Sequence, residues 1–213
     1  NGGTENKNSL NWEKYTETIY QYRETIYQNA TDSLISEIEL YIKKYAVDSK
    51  LSAKQLVEIC DMYNLELKLA LAQAHLESHF GTKGMAVKTN SVFNVGTYDD
   101  GTILYVYKDP NESIEPYAQL LKTRYLTEDK TETDLLKRNQ FRDINGKRYA
   151  SYPGYERRLS EIISNVSQTT DIDSLISIRK QFKVIKIVEY NEFNLLTINT
   201  IDDNYIERKN LTK

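Results

Sequence analysis

Between Asn11 and Gln28 the apolar positions Trp12, Tyr15, Ile19, Tyr22 and Ile26 fall three, four, three and four residues apart. That spacing lines one face of a helix. Glu17-Thr18-Ile19-Tyr20-Gln21 recurs seven residues later as Glu24-Thr25-Ile26-Tyr27-Gln28. Two heptads are too few for a coiled coil, so the seam either packs on its own domain or forms an oligomer or docking surface. A second helix is predicted from Asp32 to Ala46, burying Leu34, Ile35, Ile38, Tyr41, Ile42 and Tyr45. Ser52-Ala53-Lys54-Gln55 fits a capping box and opens a helix that buries Leu56, Ile59 and Cys60. Asn64 is placed to cap the next helix, Leu65 to Phe80, which Gly81 and Gly84 end. Its middle, Leu69-Ala70-Leu71-Ala72-Gln73-Ala74, has no clearly polar face, which predicts a central, buried helix.

The period then changes. Ser91 to Tyr98 and Thr102 to Tyr107 flank Asp99-Asp100-Gly101, the pattern of a β-hairpin. Asp109-Pro110-Asn111-Glu112 follows with an N-cap Asp, Pro at the first helical position and Glu at the third, opening a helix that buries Ile114, Tyr117, Ala118 and Leu121. A weaker helix near Thr133 to Asn139 precedes a basic loop, Arg142 to Arg148, and a last core helix, Tyr155 to Val166. Phe182 to Tyr190 and Phe193 to Ile201 read as two strands. The expected fold class is α+β, predominantly helical: an N-terminal helical extension (1–30), a core of helices with one hairpin (31–168), and a C-terminal β-rich appendage (169–213).

Composition narrows the function classes. With 213 residues, 39% apolar and 28% charged, the chain has the make-up of a soluble protein with one core domain and modest extensions. A net charge of −3 argues against nucleic acid as the main partner. The lone Cys60 has no intramolecular disulfide partner and fits core packing. No apolar run approaches the ~20 residues of a membrane span. Asn1-Gly2-Gly3-Thr4 shows no basic-then-apolar export signal, so a signal has been removed or left out, or another route delivers the protein. The seventeen tyrosines fit core and groove-lining aromatics, although an AT-rich coding genome produces the same bias.

Glu77 is the residue the local pattern singles out. It sits in the last turn of the buried helix, where burial and the negative end of the helix dipole both disfavour its ionised form. A protonated carboxyl is what glycosidic cleavage needs, because the leaving oxygen must receive a proton. A Glu paired with a neighbouring Lys or Arg is the plainer alternative. His75 and His79 stand at i and i+4, a spacing able to share a metal, yet Glu77 lies about 200° around the helix from each. With no third ligand evident, the pair reads as non-metallic, and no metal or cofactor is expected.

Leu69-Ala70-Leu71-Ala72-Gln73-Ala74-His75-Leu76-Glu77-Ser78-His79-Phe80-Gly81-Thr82 resembles the signature L-A-Q-A-x-x-E-S-x-W-G-x-S of glucosaminidase domains, glycoside hydrolase family 73. Asn90-Ser91-Val92-Phe93-Asn94 is similar to the family's Asn-Asn-Leu-Phe-Gly turn, Glu112 to Tyr117 to its S-x-x-x-Y helix, and Tyr149 to Tyr155 to its Y-A-T-D-P-x-Y. The resemblance covers roughly Leu51 to Val166. It implies a lysozyme-like fold and hydrolysis of peptidoglycan after N-acetylglucosamine. It maps the catalytic glutamate to Glu77, the conserved tyrosine to Tyr149, and site-lining positions to Asn90 and Phe93; Tyr155, which closes the last motif, is counted with them. Phe80 stands for the usual Trp and is expected to keep an aromatic wall, Asn94 stands for a Gly, and Tyr152 for an Asp.

Asp99 and Asp100, on the expected hairpin, are candidates for a second catalytic group and a substrate contact, although Asp-Asp-Gly is sufficient as a turn sequence. The expected function is a peptidoglycan hydrolase, an endo-β-N-acetylglucosaminidase, acting outside the cell or in the envelope, with a phage-borne or virion-associated enzyme as one form of it. The alternatives are a lytic transglycosylase of the same fold, or a virion or envelope structural protein with a vestigial domain. The expected partner is the glycan strand, with oligomer or virion docking through the N-terminal helix or the C-terminal segment.

Overall fold

The computed structural model describes side chains for residues 17–98, 100–127 and 129–183, and backbone for 12–16 and four short stretches beyond 183. In chain order the helices are α1 (Trp12–Tyr45), α2 (Ala53–Met62), α3 (Leu67–Ser78), α4 (Ala86–Thr89), α5 (Ile114–Leu120), α6 (Glu132–Leu135), α7 (Tyr155–Thr169) and α8 (Ile172–Phe182). A 3-10 turn, Pro110–Ser113, leads into α5, and a π-turn, Leu121–Tyr125, follows it. The chain divides into two compact units: Asn1–Leu34 with Asp173–Lys213, and Ile35–Ile172.

The hydrophobic spacing predicted two helices where α1 is one. Asn29-Ala30-Thr31 carries no Pro or Gly to stop the helix, Gln28 Nε2 donates to Asp32 Oδ1 at 2.9 Å, and Thr31 Oγ1 donates back to the Tyr27 carbonyl at 2.8 Å. In the first unit the buried face of α1 includes Tyr20 and Ala30, whereas Ile19 and Tyr22 of the expected seam are 40% and 65% exposed. The side chains of Trp12 and Tyr15 lie outside the described residues. Arg179 of α8 is buried there, its Nε donating to Thr31 Oγ1 and its Nη2 to the Tyr27 hydroxyl, both at 2.9 Å.

The β-rich appendage expected from residue 169 is corrected by α7 and α8, which make this stretch helical as far as Phe182. Ile172, Leu175, Ile176 and Arg179 have the helical three-and-four spacing, which the β-branched residues further on obscured. Of the two predicted strands, 184–195 lies outside the described residues. Among the described residues beyond it stand two pairs of two- or three-residue segments, Leu196–Ile198 with Lys209–Leu211 and Ile201–Asp202 with Tyr205–Ile206, too short for an appendage.

The second unit is built around α3, packed between α2 and α7, with α5 against α2. Ser52 caps α2, its Oγ accepting from Gln55 N–H at 3.2 Å, and Asp109 caps the 3-10 turn, accepting from Asn111 N–H at 2.8 Å. The expected hairpin is also corrected. The chain does reverse, with Tyr98 N–H donating to Thr102 O at 3.0 Å and Leu104 N–H to Gly96 O at 2.8 Å, but only the isolated bridge Thr97–Ile103 forms. Ile103, Leu104, Tyr105 and Val106 are 40–66% exposed. Neither face of this arm is buried, so nothing fixes a period-two register. Asn94 and Gly96, both at positive φ, bend the other arm, and the Tyr105 ring lies where a Cβ at position 96 would have to go. Across the residues with described side chains the fold is therefore helical, not α+β.

Candidate active site

Within Leu69–Ala74 every side chain is fully buried, and Gln73 is the one polar group among them. Glu77 sits one residue before the end of α3, which closes without glycine: His79 (φ 53°) and Phe80 (φ 57°) are both left-handed, and Phe80 N–H returns to the Ala74 carbonyl at 2.9 Å. Such backbone costs roughly 1–2 kcal/mol per residue and needs outside support. It comes from the buried Phe80 ring, stacked on His75 at 4.8 Å, and from Ser49 Oγ, which donates to the Phe80 carbonyl at 2.7 Å. Buried Ser78 then ties the helix end to the next turn, its Oγ donating to Val92 O at 2.6 Å and accepting from Gly81 N–H at 2.8 Å.

That tie brings Asn94 beside Glu77. Asn94 Nδ2 donates to the Glu77 carboxyl at Oε2 and to the Glu77 carbonyl, each at 2.9 Å. The other carboxyl oxygen, Oε1, accepts the Tyr155 hydroxyl at 2.6 Å. Behind Tyr155 the bonds continue into the core: Gln73 Nε2 donates to the Tyr155 hydroxyl at 2.9 Å, and the Tyr117 hydroxyl donates to Gln73 Oε1 at 2.5 Å. Glu77 is half-buried, while Tyr155, Gln73 and Tyr117 are 2%, 0% and 0% exposed.

Tyr149 forms the next layer. Its ring stacks on Tyr155 (5.9 Å, 12°), and its hydroxyl donates to the Phe93 carbonyl at 2.7 Å, holding the turn that presents Asn94. Burial, and then the charge of Glu77, push the phenols of Tyr149 and Tyr155 well above the ordinary tyrosine value, so both remain donors across the accessible pH range. Buried Glu156 anchors this layer from α7, accepting from Phe141 N–H at 3.1 Å, and Tyr149 N–H donates to Phe141 O at 3.0 Å.

A family model described as glucosaminidase, mannosyl-glycoprotein endo-beta-N-acetylglucosaminidase, matches residues 53–168, more than half of the chain. The chain belongs to the glucosaminidase family. Membership makes it a glycoside hydrolase acting on peptidoglycan. No curated protein matches it significantly.

The glucosaminidase domain brings Glu77, Tyr149 and Tyr155 of the expected site together. Phe80 and Phe93, expected along the sugar, both have 0% exposure: Phe80 packs as above, and Phe93 stacks on Tyr117 at 3.8 Å and 5°. A ring with no exposed surface fills the core rather than facing a ligand. Asn90 adopts a left-handed backbone (φ 54°) at the end of α4 and donates from Nδ2 to Tyr107 O at 2.8 Å. Exposed Asp100 spends Oδ1 on Thr102 N–H at 2.9 Å, the bond of a turn residue, and that bond holds its carboxyl below the usual range. Asp99 lies outside the described residues.

The pattern of the sequence did not yield Gln73, Tyr117 or Asn94 as site groups. A lone amide in an all-apolar helical run was a usable signal, because a buried amide needs partners. In Asn94 only a departure from the family's glycine was visible.

His75 and His79 face away from these bonds, their rings 5.0 Å apart, with His75 also against Tyr45 at 4.7 Å. Burial first, then the charges of His79, Arg158 and Lys83, lower the His75 pKa from 6.5 to about 4. A base whose folded pKa is depressed stays neutral in the native state while the unfolded chain takes up a proton. Its contribution is therefore intact above 6.5 and is lost as pH falls from 6.5 towards 4. Thermal unfolding followed across that window should show a wild-type loss that His75→Phe reduces; equal slopes in the two proteins would exclude His75 as a cause.

Proposed function

We propose that the glucosaminidase domain is an endo-β-N-acetylglucosaminidase that cuts peptidoglycan glycan strands with Glu77 as general acid. The observation that carries this reading is the two-point hold on the Glu77 carboxyl by the Tyr155 hydroxyl and the Asn94 amide, at the end of a buried helix. A carboxyl fixed in this way is oriented before substrate arrives, which is the geometric requirement for donating a proton to a glycosidic oxygen. Protonation lets the bond break towards an oxocarbenium-like sugar, and water completes hydrolysis. In this reading Tyr155 and Asn94 orient the acid and Tyr149 holds the Phe93–Asn94 turn. Peptidoglycan lies outside the cytoplasmic membrane, so the proposed place of action is the envelope or the exterior.

The products test this. Mass spectrometry of peptidoglycan digested by the protein should show reducing N-acetylglucosamine ends. A transglycosylase would instead quench the cation with the muramic 6-hydroxyl, and 1,6-anhydro ends would overturn the hydrolase reading.

A further inference from the structure

The bonds behind Glu77 form one directed chain: the Tyr117 hydroxyl donates to Gln73 Oε1, Gln73 Nε2 to the Tyr155 hydroxyl, and that hydroxyl to Glu77 Oε1. We propose that Gln73 is a positioning residue for the proton transfer, compelling Tyr155 to donate to Glu77 as charge develops there. The proposal rests on Glu77 being the acid.

The direction follows from the end of the chain. An ionised carboxylate only accepts, so the Tyr155 proton points at Glu77 and its oxygen is left to receive a donor. In the relay that donor is the Gln73 amide nitrogen. The amide oxygen is then turned away, where the Tyr117 hydroxyl meets it. Were the amide reversed, its oxygen would draw the Tyr155 proton away from Glu77. The Gln73 side chain is wholly buried, and its bonds to Tyr117 and Tyr155 place it one step behind the carboxyl. Each member polarises the next, and in buried surroundings such a chain strengthens when its terminal acceptor gains charge. Glu77 gains that charge as its proton passes to the leaving oxygen. The chain therefore binds the transition state more tightly than the ground state, which raises kcat and leaves KM alone.

Kinetics on soluble glycan fragments of peptidoglycan test this with Gln73→Met, Tyr155→Phe and the double variant. Gln73→Met keeps the length and removes both polar atoms. It is expected to lower kcat about tenfold, the equivalent of one net hydrogen bond, with KM within about twofold. In the Tyr155→Phe background the same change should cost nothing further, because the hydroxyl it acts through is gone. Costs that multiply in the double variant, or a fall expressed in KM, would show a structural amide only and overturn the proposal. Should Gln73→Met fail to fold by circular dichroism, Tyr117→Phe carries the test. It keeps the ring stacked on Phe93 and frees the amide to reverse, so a loss of about threefold in kcat is expected, again vanishing with Tyr155→Phe. Glu77→Gln separates the two levels: a fully active Glu77→Gln sinks the underlying reading, whereas an inactive one beside multiplying Gln73 effects sinks the relay alone.

Discussion

Glu77→Gln should abolish release of reducing sugar from peptidoglycan while the unfolding temperature stays close to that of the wild type. The amide is nearly isosteric and still accepts the Tyr155 hydroxyl through its oxygen, but its nitrogen meets the donor of Asn94, a local mismatch at a half-buried position. That mismatch is worth on the order of 1 kcal/mol of stability. The catalytic loss is far larger, at least the ~10²–10⁴-fold associated with a general acid, because an amide has no proton to give the leaving oxygen. Reducing-end assays on protein shown to be folded by circular dichroism decide the matter; wild-type turnover would remove Glu77 from the chemistry.

The other large effect is expected on stability. Phe93 is fully buried and its ring lies parallel to Tyr117 at 3.8 Å. Phe93→Ala removes the ring, leaves a cavity beneath the turn that carries Asn94, and should destabilise the domain by about 3–5 kcal/mol. Denaturant unfolding measures this directly. A loss under about 1 kcal/mol with a large rise in KM would return Phe93 to the sugar-facing role that the family motif implied.

These two residues also show how far the chain was legible. Both lie in quoted motifs, yet a motif names a position without saying which way its side chain points. The sequence points to Glu77 twice, by its place at the end of a buried helix and by the resemblance. It points to Tyr149 and Tyr155 by the resemblance alone. The core helices followed from three-and-four spacing, because burial on one face imposes that period. The same reasoning failed between Ser91 and Tyr107, where a turn sequence was present but Leu104, Tyr105 and Val106 are exposed and impose no period. It failed again after Gln168, where residues rich in β-branching drew a strand reading past the helical spacing of Ile172, Leu175 and Ile176. That Asn94 and Tyr155 bond to the Glu77 carboxyl was beyond reach for another reason. Asn94 lies 17 residues away and Tyr155 lies 78, and such pairings are decided by packing rather than by neighbours in the chain.

That separation bears on synthesis. A chain leaves the ribosome from its N-terminus, so α3 emerges with its glutamate long before the residue that orients it. Until Tyr155 and the start of α7 have been made, Gln73 has no hydroxyl to supply and Glu77 lacks the phenol that aims it. A nascent or truncated polypeptide ending between Thr82 and Tyr155 would carry the whole Leu69–Thr82 signature and still lack the hydroxyl that holds the Glu77 carboxyl. With Glu77 as the proposed acid, competence to cut the wall would be withheld until the glucosaminidase domain is almost completely translated.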